Sequence, residues 1–241
     1  MSSSKIVVKG SSLAGFNQAV SEHPQVQMSG DSDSPDIHFV QGNWARTILI
    51  DSVDSDCRGL VELIDNNPMV CTEVFALPDP LGILGSIAVG PLARAGLIVE
   101  EPVLIGNVPG ELDNLHLLLA DLGWDGGVAY QQEPVETGSA YALTALVKVE
   151  TQAAEGQIEL LYRECFERSF FVRESQSEDW DTALVSGKPF AIYRIRITEG
   201  DQHSIVTVQV LSDKHGKCGA AGAIHALNVM VGFEESLPFG G

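Results

Sequence analysis

Two long alternating segments near the C-terminal end restrict the fold more than anything else in the chain. Pro189–Glu199 (PFAIYRIRITE) and Ser204–Asp213 (SIVTVQVLSD) each put apolar and polar residues on opposite faces of an extended backbone, with GDQH between them. Period-two alternation across a short polar connection is the pattern of an antiparallel hairpin with one face buried. The segment that follows, Lys217–Phe233 (KCGAAGAIHALNVMVGF), is rich in small residues, and Ala220, Ile224, Leu227 and Val231 fall on one helical stripe. A hairpin followed by a closely packing helix is an α+β ending.

The front of the chain reads differently. Lys5–Lys9 (KIVVK) is a short β-branched strand, and GSSLAGFNQAV turns from it into a helix, the opening of a nucleotide-binding βαβ unit. The glycine fingerprint is incomplete. Gly10 is present, but Leu13 and Phe16 stand three and six positions further on, and the next glycine is Gly15. A side chain at such a position puts a Cβ where a backbone must approach a pyrophosphate. The degenerate cofactor loop is therefore Gly10, Ser11, Ser12 and Gly15. Strands over Asp36–Val40 and Arg46–Ser52 follow with room for little helix, so this front unit is shortened.

Leu81–Ala95 is apolar nearly all round, as a buried helix is, and Gly96 stops it before a strand across GLIVEEPVLIGNV. A helix over Asp113–Leu122, a strand over Ala140–Glu150 and an amphipathic helix over Glu155–Arg168 are expected next. The last of these turns Ile158, Leu161, Cys165 and Phe166 inward. Cys71 is expected on a short buried strand. The chain is α/β in front and α+β behind, without internal repeats.

The formal charge of −19 over 241 residues, with only 14 Lys and Arg, argues against nucleic acid and against an anionic membrane surface as partners. No run of eighteen apolar residues occurs, and MSSSKIVVKG reads as the start of a strand rather than a signal peptide. The four cysteines lie far apart without a CxxC pair, so neither a zinc site nor a disulfide scaffold is expected. A reducing, cytoplasmic setting follows as the expectation.

Taken in order, these segments resemble the aspartate-semialdehyde dehydrogenases and the related N-acetylglutamyl-phosphate reductases. KIVVKGSSLAG is similar to their first strand and turn, and ILIDSVDSDCR to the segment after it. ALPDPLGILGSIAVGPLARAGLI resembles their nucleophile-bearing helix, FAIYRIRITEG a strand of their second domain, and SDKHGKCGAAGAIHALNVMVGF their closing helix. The resemblance implies a truncated Rossmann-like domain, residues 1–74 plus 214–241, and a catalytic-like dimerisation domain, residues 75–213. The last helix would pack back on the first domain. It also implies a homodimer, or assembly with a catalytically active relative.

The family reaction runs through a cysteine thiolate at a helix N-terminus, a histidine that moves protons, and NADP. In the family the cysteine lies eleven positions before a proline that Pro91 matches here, and counting back reaches Pro80. The histidine slot falls on Ser139, in ETGSAYALTALV. Proline is no nucleophile and serine is no base near neutral pH. Asp79 beside Pro80 reads as a helix cap. No catalytic residue is therefore assigned, and Arg194, Lys214 and Lys217 remain as candidate ligand-binding residues. No cofactor is expected, with NADP retained if the dinucleotide cleft survives. The expected function is a degenerate, dimeric binding or regulatory protein. The alternatives are an active NADP-dependent oxidoreductase of amino-acid biosynthesis with a relocated nucleophile such as Cys71, and a small-molecule sensor using the old substrate pocket.

Overall fold

The structure, a computed structural model, describes residues 5–10, 12–30, 34–64, 66–134, 138–151 and 156–240. It begins with β1 (Ile6–Lys9), α1 (Phe16–Glu22), β2 (Val26–Met28), β3 (Ile37–Gln41) and β4 (Trp44–Ile50). A 3-10 turn (Val61–Leu63), α2 (Asn66–Cys71) and β5 (Val74–Leu77) complete the first unit. Its sheet has the order β2-β1-β3-β4-β5. β1 pairs with β2, and β4 with β5, in parallel across helical connections, whereas β3 runs antiparallel to both neighbours. Among the described residues, two short helices, α1 and α2, connect its parallel strand pairs.

Cys71 corrects the expectation of a buried strand: it ends α2 and is exposed. Pro68 lies within the first turn of α2, where its missing N–H would have no partner in any case. The strand is delayed to Val74 by Thr72, whose hydroxyl donates to the Val74 carbonyl and accepts from the Val74 N–H.

The second unit contains α3 (Pro80–Arg94), β6 (Val103–Gly106), α4 (Leu112–Asp121), β7 (Ala129–Gln132), β8 (Ala140–Glu150), α5 (Ile158–Phe166) and β9 (Val172–Glu174). A second 3-10 turn (Thr182–Leu184), β10 (Ala191–Thr198), β11 (His203–Asp213) and α6 (Ala220–Val231) follow. The sheet order is β7-β6-β8-β11-β10-β9, with β8, β11 and β10 forming a long antiparallel centre. Alternation sends Leu143, Ala145, Val147 and Val149 of β8, and Val206, Val208 and Val210 of β11, to one buried face. α3 lies against this face, and both α4 and α5 pack on α3. Gly85 sets the close approach of α4: a Cβ there would lie 2.6 Å from Leu115 Cδ1.

Two further expectations change in detail. The strand expected beyond Gly96 contracts to β6, and the preceding stretch is tied to β8 by Val99 N–H, bonded to the Lys148 carbonyl, and by the Glu100–Lys148 ion pair. On α5 the buried residues are Ile158, Tyr162 and Phe166, while Leu161 and Cys165 are half-buried. Tyr162 takes the inward place because its hydroxyl finds the Ala88 carbonyl of α3.

α6 is buried on every side, not on one stripe, and packs back on α1, α2 and β4. One side chain fastens it there. Arg46 of β4 is 2% exposed and donates to the carbonyls of Met230 in α6 (2.5 Å), Met69 in α2 (2.6 Å) and Thr72 just past α2 (2.9 Å). Its guanidinium also lies 4.4 Å from the centre of the Trp44 ring.

Candidate functional site

β5 delivers the chain to the start of α3, where the sequence places the nucleophile. Pro80 occupies the first helical turn and Asp79 is the N-cap. The Asp79 carboxylate, 5% exposed, accepts from Gly82 N–H (2.8 Å), Glu111 N–H (3.0 Å) and Asn114 Nδ2 (3.0 Å). Gly110 allows this contact at φ +152°, since a Cβ on it would lie 2.4 Å from Asp79 Oδ1. The carboxylate is thus committed to structure, and the helix end presents no thiol.

The groups nearby oppose a thiolate. Cys218 is pushed up to about 12, chiefly by burial, with Asp51 and Asp79 adding to the effect. Asp51, in the left-handed region at φ 53°, is itself raised by desolvation and then by Asp79. Cys57 and Cys165 are also raised by burial.

Ser139, in the histidine slot, donates to Asp213 Oδ2 at 3.1 Å. Asp213 is 3% exposed and accepts from the N–H groups of Gly187 and His215 as well. Ser139 lines a cavity of about 450 Å³ between α1 and the start of α6, together with Gly15, Lys188 and His215. Ser139 and Gly15 of the expected cofactor loop therefore line one cavity, to which the exposed His215 contributes an imidazole. Pro80 does not line it. In the loop itself, Gly10 packs against β2, where a Cβ would lie 2.6 Å from Met28 Cε. Gly15 has φ +83°, Ser12 N–H bonds the Ser34 carbonyl, and Phe16 is fully buried. Ser11 lies outside the described residues.

The three candidate ligand-binding residues stand apart. Arg194 of β10 donates to Gln209 Oε1 (2.7 Å) on the opposite strand and covers Trp180 at 4.4 Å. Lys214 donates to the Gly138 carbonyl (2.8 Å) beside the Tyr141 ring. Lys217 is fully buried, with Nζ 2.8 Å from Glu62 Oε1 and 3.0 Å from His225 Nδ1. No hydrogen bond or ring contact joins any two of the three.

Lys217 belongs to a buried chain of groups that sequence reasoning does not find. An ammonium has only donors, so His225 Nδ1 must accept from it. His225 Nε2 then carries the proton and donates to Glu235 Oε2 at 3.1 Å. Burial first, and Lys217 second, depress His225, which favours the neutral ring; it stacks on Phe171 at 4.3 Å. Burial alone would raise Glu62, but the Lys217 ammonium outweighs it, by charge and by hydrogen bond, and holds that carboxyl below its usual range. The available signal was His225, a lone imidazole in an apolar helix eight residues after Lys217. Among the described residues no cluster of His, Cys, Asp or Glu could hold a metal ion, and no helix is long and apolar enough to cross a membrane.

Two mixed sheets with helices, the last helix returning to the first sheet, define the fold class: a Rossmann-like unit followed by an α+β unit built on a six-stranded sheet. The chain is similar in fold to the crystal structure of aspartate semialdehyde dehydrogenase II from Vibrio cholerae, with a TM-score of 0.52. Identity is 11%, over 74% of this chain and 69% of that one, so the likeness is one of fold. No protein-family model and no curated protein sequence matches the chain.

Proposed function

We propose that this protein is a semialdehyde-dehydrogenase-like scaffold that has lost the family chemistry and acts as a dimeric binding or regulatory protein. The observation that carries this reading is the start of α3, with Pro80 in its first turn and the Asp79 carboxylate held by three hydrogen bonds. Cys71 does not replace the missing thiol. It ends α2, where carbonyl oxygens rather than N–H groups would face a developing oxyanion. The loop residues do not fit a dinucleotide either: Gly10 is filled in by Met28, and Phe16 occupies a glycine position.

The face of the second sheet opposite α3 supports dimerisation. Its register places Val103, Leu146 and Ile205 together there, with Val103 and Ile205 more than one-third exposed. In this reading a second copy covers the patch, and a catalytically active relative is the alternative partner. A small-molecule sensor is the second reading, favoured by the 450 Å³ cavity that joins Ser139 to Gly15.

NADPH titration followed by fluorescence, together with NADP-dependent oxidation of aspartate semialdehyde in the presence of phosphate, tests the first reading. No saturable NADPH binding and no turnover are expected. Turnover that disappears in Cys71→Ser would overturn it.

A further inference from the structure

A hollow of about 950 Å³ lies away from both Pro80 and Ser139. Three stretches form it: the 3-10 turn at residues 61–63, the chain leaving α5, and the chain leaving α6. Its lining includes Glu62, Arg168, Phe170, Arg173, Phe233 and Glu235. Two independent features of this lining point to a ligand.

The first is Glu62. Its side chain is 4% exposed, and Oε1 is occupied by Lys217 (2.8 Å) and by the Ser169 hydroxyl (2.9 Å). Oε2 is buried and has no hydrogen-bond partner among the described residues. A buried carboxylate oxygen left unpaired is unfavourable by itself, and an incoming donor relieves it. Glu235 lies across the His225 ring from Glu62, Nδ1 being 3.7 Å from Glu62 Oε1 and Nε2 3.1 Å from Glu235 Oε2, and the Glu235 side chain is 48% exposed. Together the two carboxylates are suited to an ammonium group.

The second is a pair of arginines, in a lining that also holds Glu167 and Glu234. The chain has 33 acidic against 14 basic residues, yet neither Arg168 nor Arg173 forms an ion pair among the described residues. Arg173 is held in place by donating Nε to the Phe170 carbonyl (2.9 Å) and by stacking 4.6 Å from the Phe170 ring and 4.0 Å from the Phe190 ring. A stacked guanidinium is pre-organised for an anionic oxygen. Phe170 and Phe233 add apolar surface suited to a short hydrocarbon linker.

We propose that this groove binds a linear zwitterion, with its ammonium at Glu62 and Glu235 and its carboxylate at Arg168 and Arg173. The assignment uses none of the residues of the degenerate site, so it stands whether or not the chain oxidises an aldehyde.

Calorimetric titration of the full chain with 4-aminobutyrate and 6-aminohexanoate tests it, with butyrate and butylamine as single-ended controls. At least one zwitterion should bind saturably and raise Tm, while both controls should bind at least about tenfold more weakly. Arg168 is exposed and makes no hydrogen bond or ion pair among the described residues, so Arg168→Gln should leave the unliganded Tm unchanged and weaken binding about tenfold. Glu62→Gln removes the counter-charge of Lys217 and is expected to unfold more easily. Glu235→Gln, at the partly exposed carboxylate, therefore provides the ammonium-side test, with a similar loss. Binding of neither zwitterion, equal binding of butyrate or butylamine, or unchanged affinity in Arg168→Gln would each overturn the proposal.

Discussion

Replacing Lys217 with methionine isolates the energetics of the buried charge chain. Lys217 is fully buried and the Glu62 side chain is 4% exposed. Lys217→Met therefore leaves a carboxylate in the interior with one oxygen already unpartnered, and Nδ1 of His225 loses its donor. Removing one member of a buried ion pair typically costs about 3–5 kcal/mol. Against a total stability of about 5–15 kcal/mol, that is a large fraction. With an m-value of about 2.5 kcal/mol/M, the urea midpoint should fall by about 1.5 M. Glu62→Leu alone should do comparable damage by stranding the ammonium. The double variant should lie within about 2 kcal/mol of the parent, because two apolar side chains replace two mutually neutralising charges. Urea denaturation of all four proteins, followed by circular dichroism at pH 7.5, measures the cycle. Single losses below about 1 kcal/mol, or costs that simply add in the double variant, would refute the claim that these charges are desolvated and coupled.

The same cluster sets a pH dependence. His225 is depressed below 6.5, so as pH falls below that value the unfolded chain takes up a proton that the folded chain resists; Glu62 and Glu235, depressed below 4.5, act in the same direction further down. Stability should therefore decline from pH 6.5 downward, and His225→Gln should flatten the upper part of that decline in urea midpoints taken between pH 5 and 8. Arg46→Met should lower stability by about 3–5 kcal/mol, since three backbone carbonyls lose a charged donor, and Arg46→Lys should recover only part because an ammonium lacks the planar fork; chemical denaturation reads both. Val103→Glu and Ile205→Glu, on the open sheet face, should convert a dimer to a monomer in light scattering without loss of far-UV dichroism.

The long elements were legible because each repeats one physical rule many times. β8, β10 and β11 alternate over eight or more residues, and α3 is apolar over more than three turns, so single exceptions do not hide the pattern. β2, β7 and β9 have three or four residues each and owe their pairing to the neighbouring strand, so nothing local marks them. NNPMVC forms α2 rather than the buried strand expected at Cys71, and Pro68 fits because it falls in the first turn. At the candidate site, Asp79 was readable as a cap because its partner at Gly82 is three residues away. The Glu62–Lys217 pair spans more than 150 residues of sequence, and only the tertiary fold brings the two together.

Arg46 also bears on the order in which the molecule can be completed. Its guanidinium lies at the carbonyl ends of both α2 and α6, complementing the negative ends of two helix dipoles at once. One of those helices belongs to the first third of the chain and the other to its last tenth. A polypeptide made from its N-terminus has β4 and α2 long before α6 exists, and until then a charged side chain destined for the interior has only part of its partners. Until residues 220–231 have been made, the first sheet lacks the Met230 carbonyl, one of the three that hold Arg46, and the last helix that covers it.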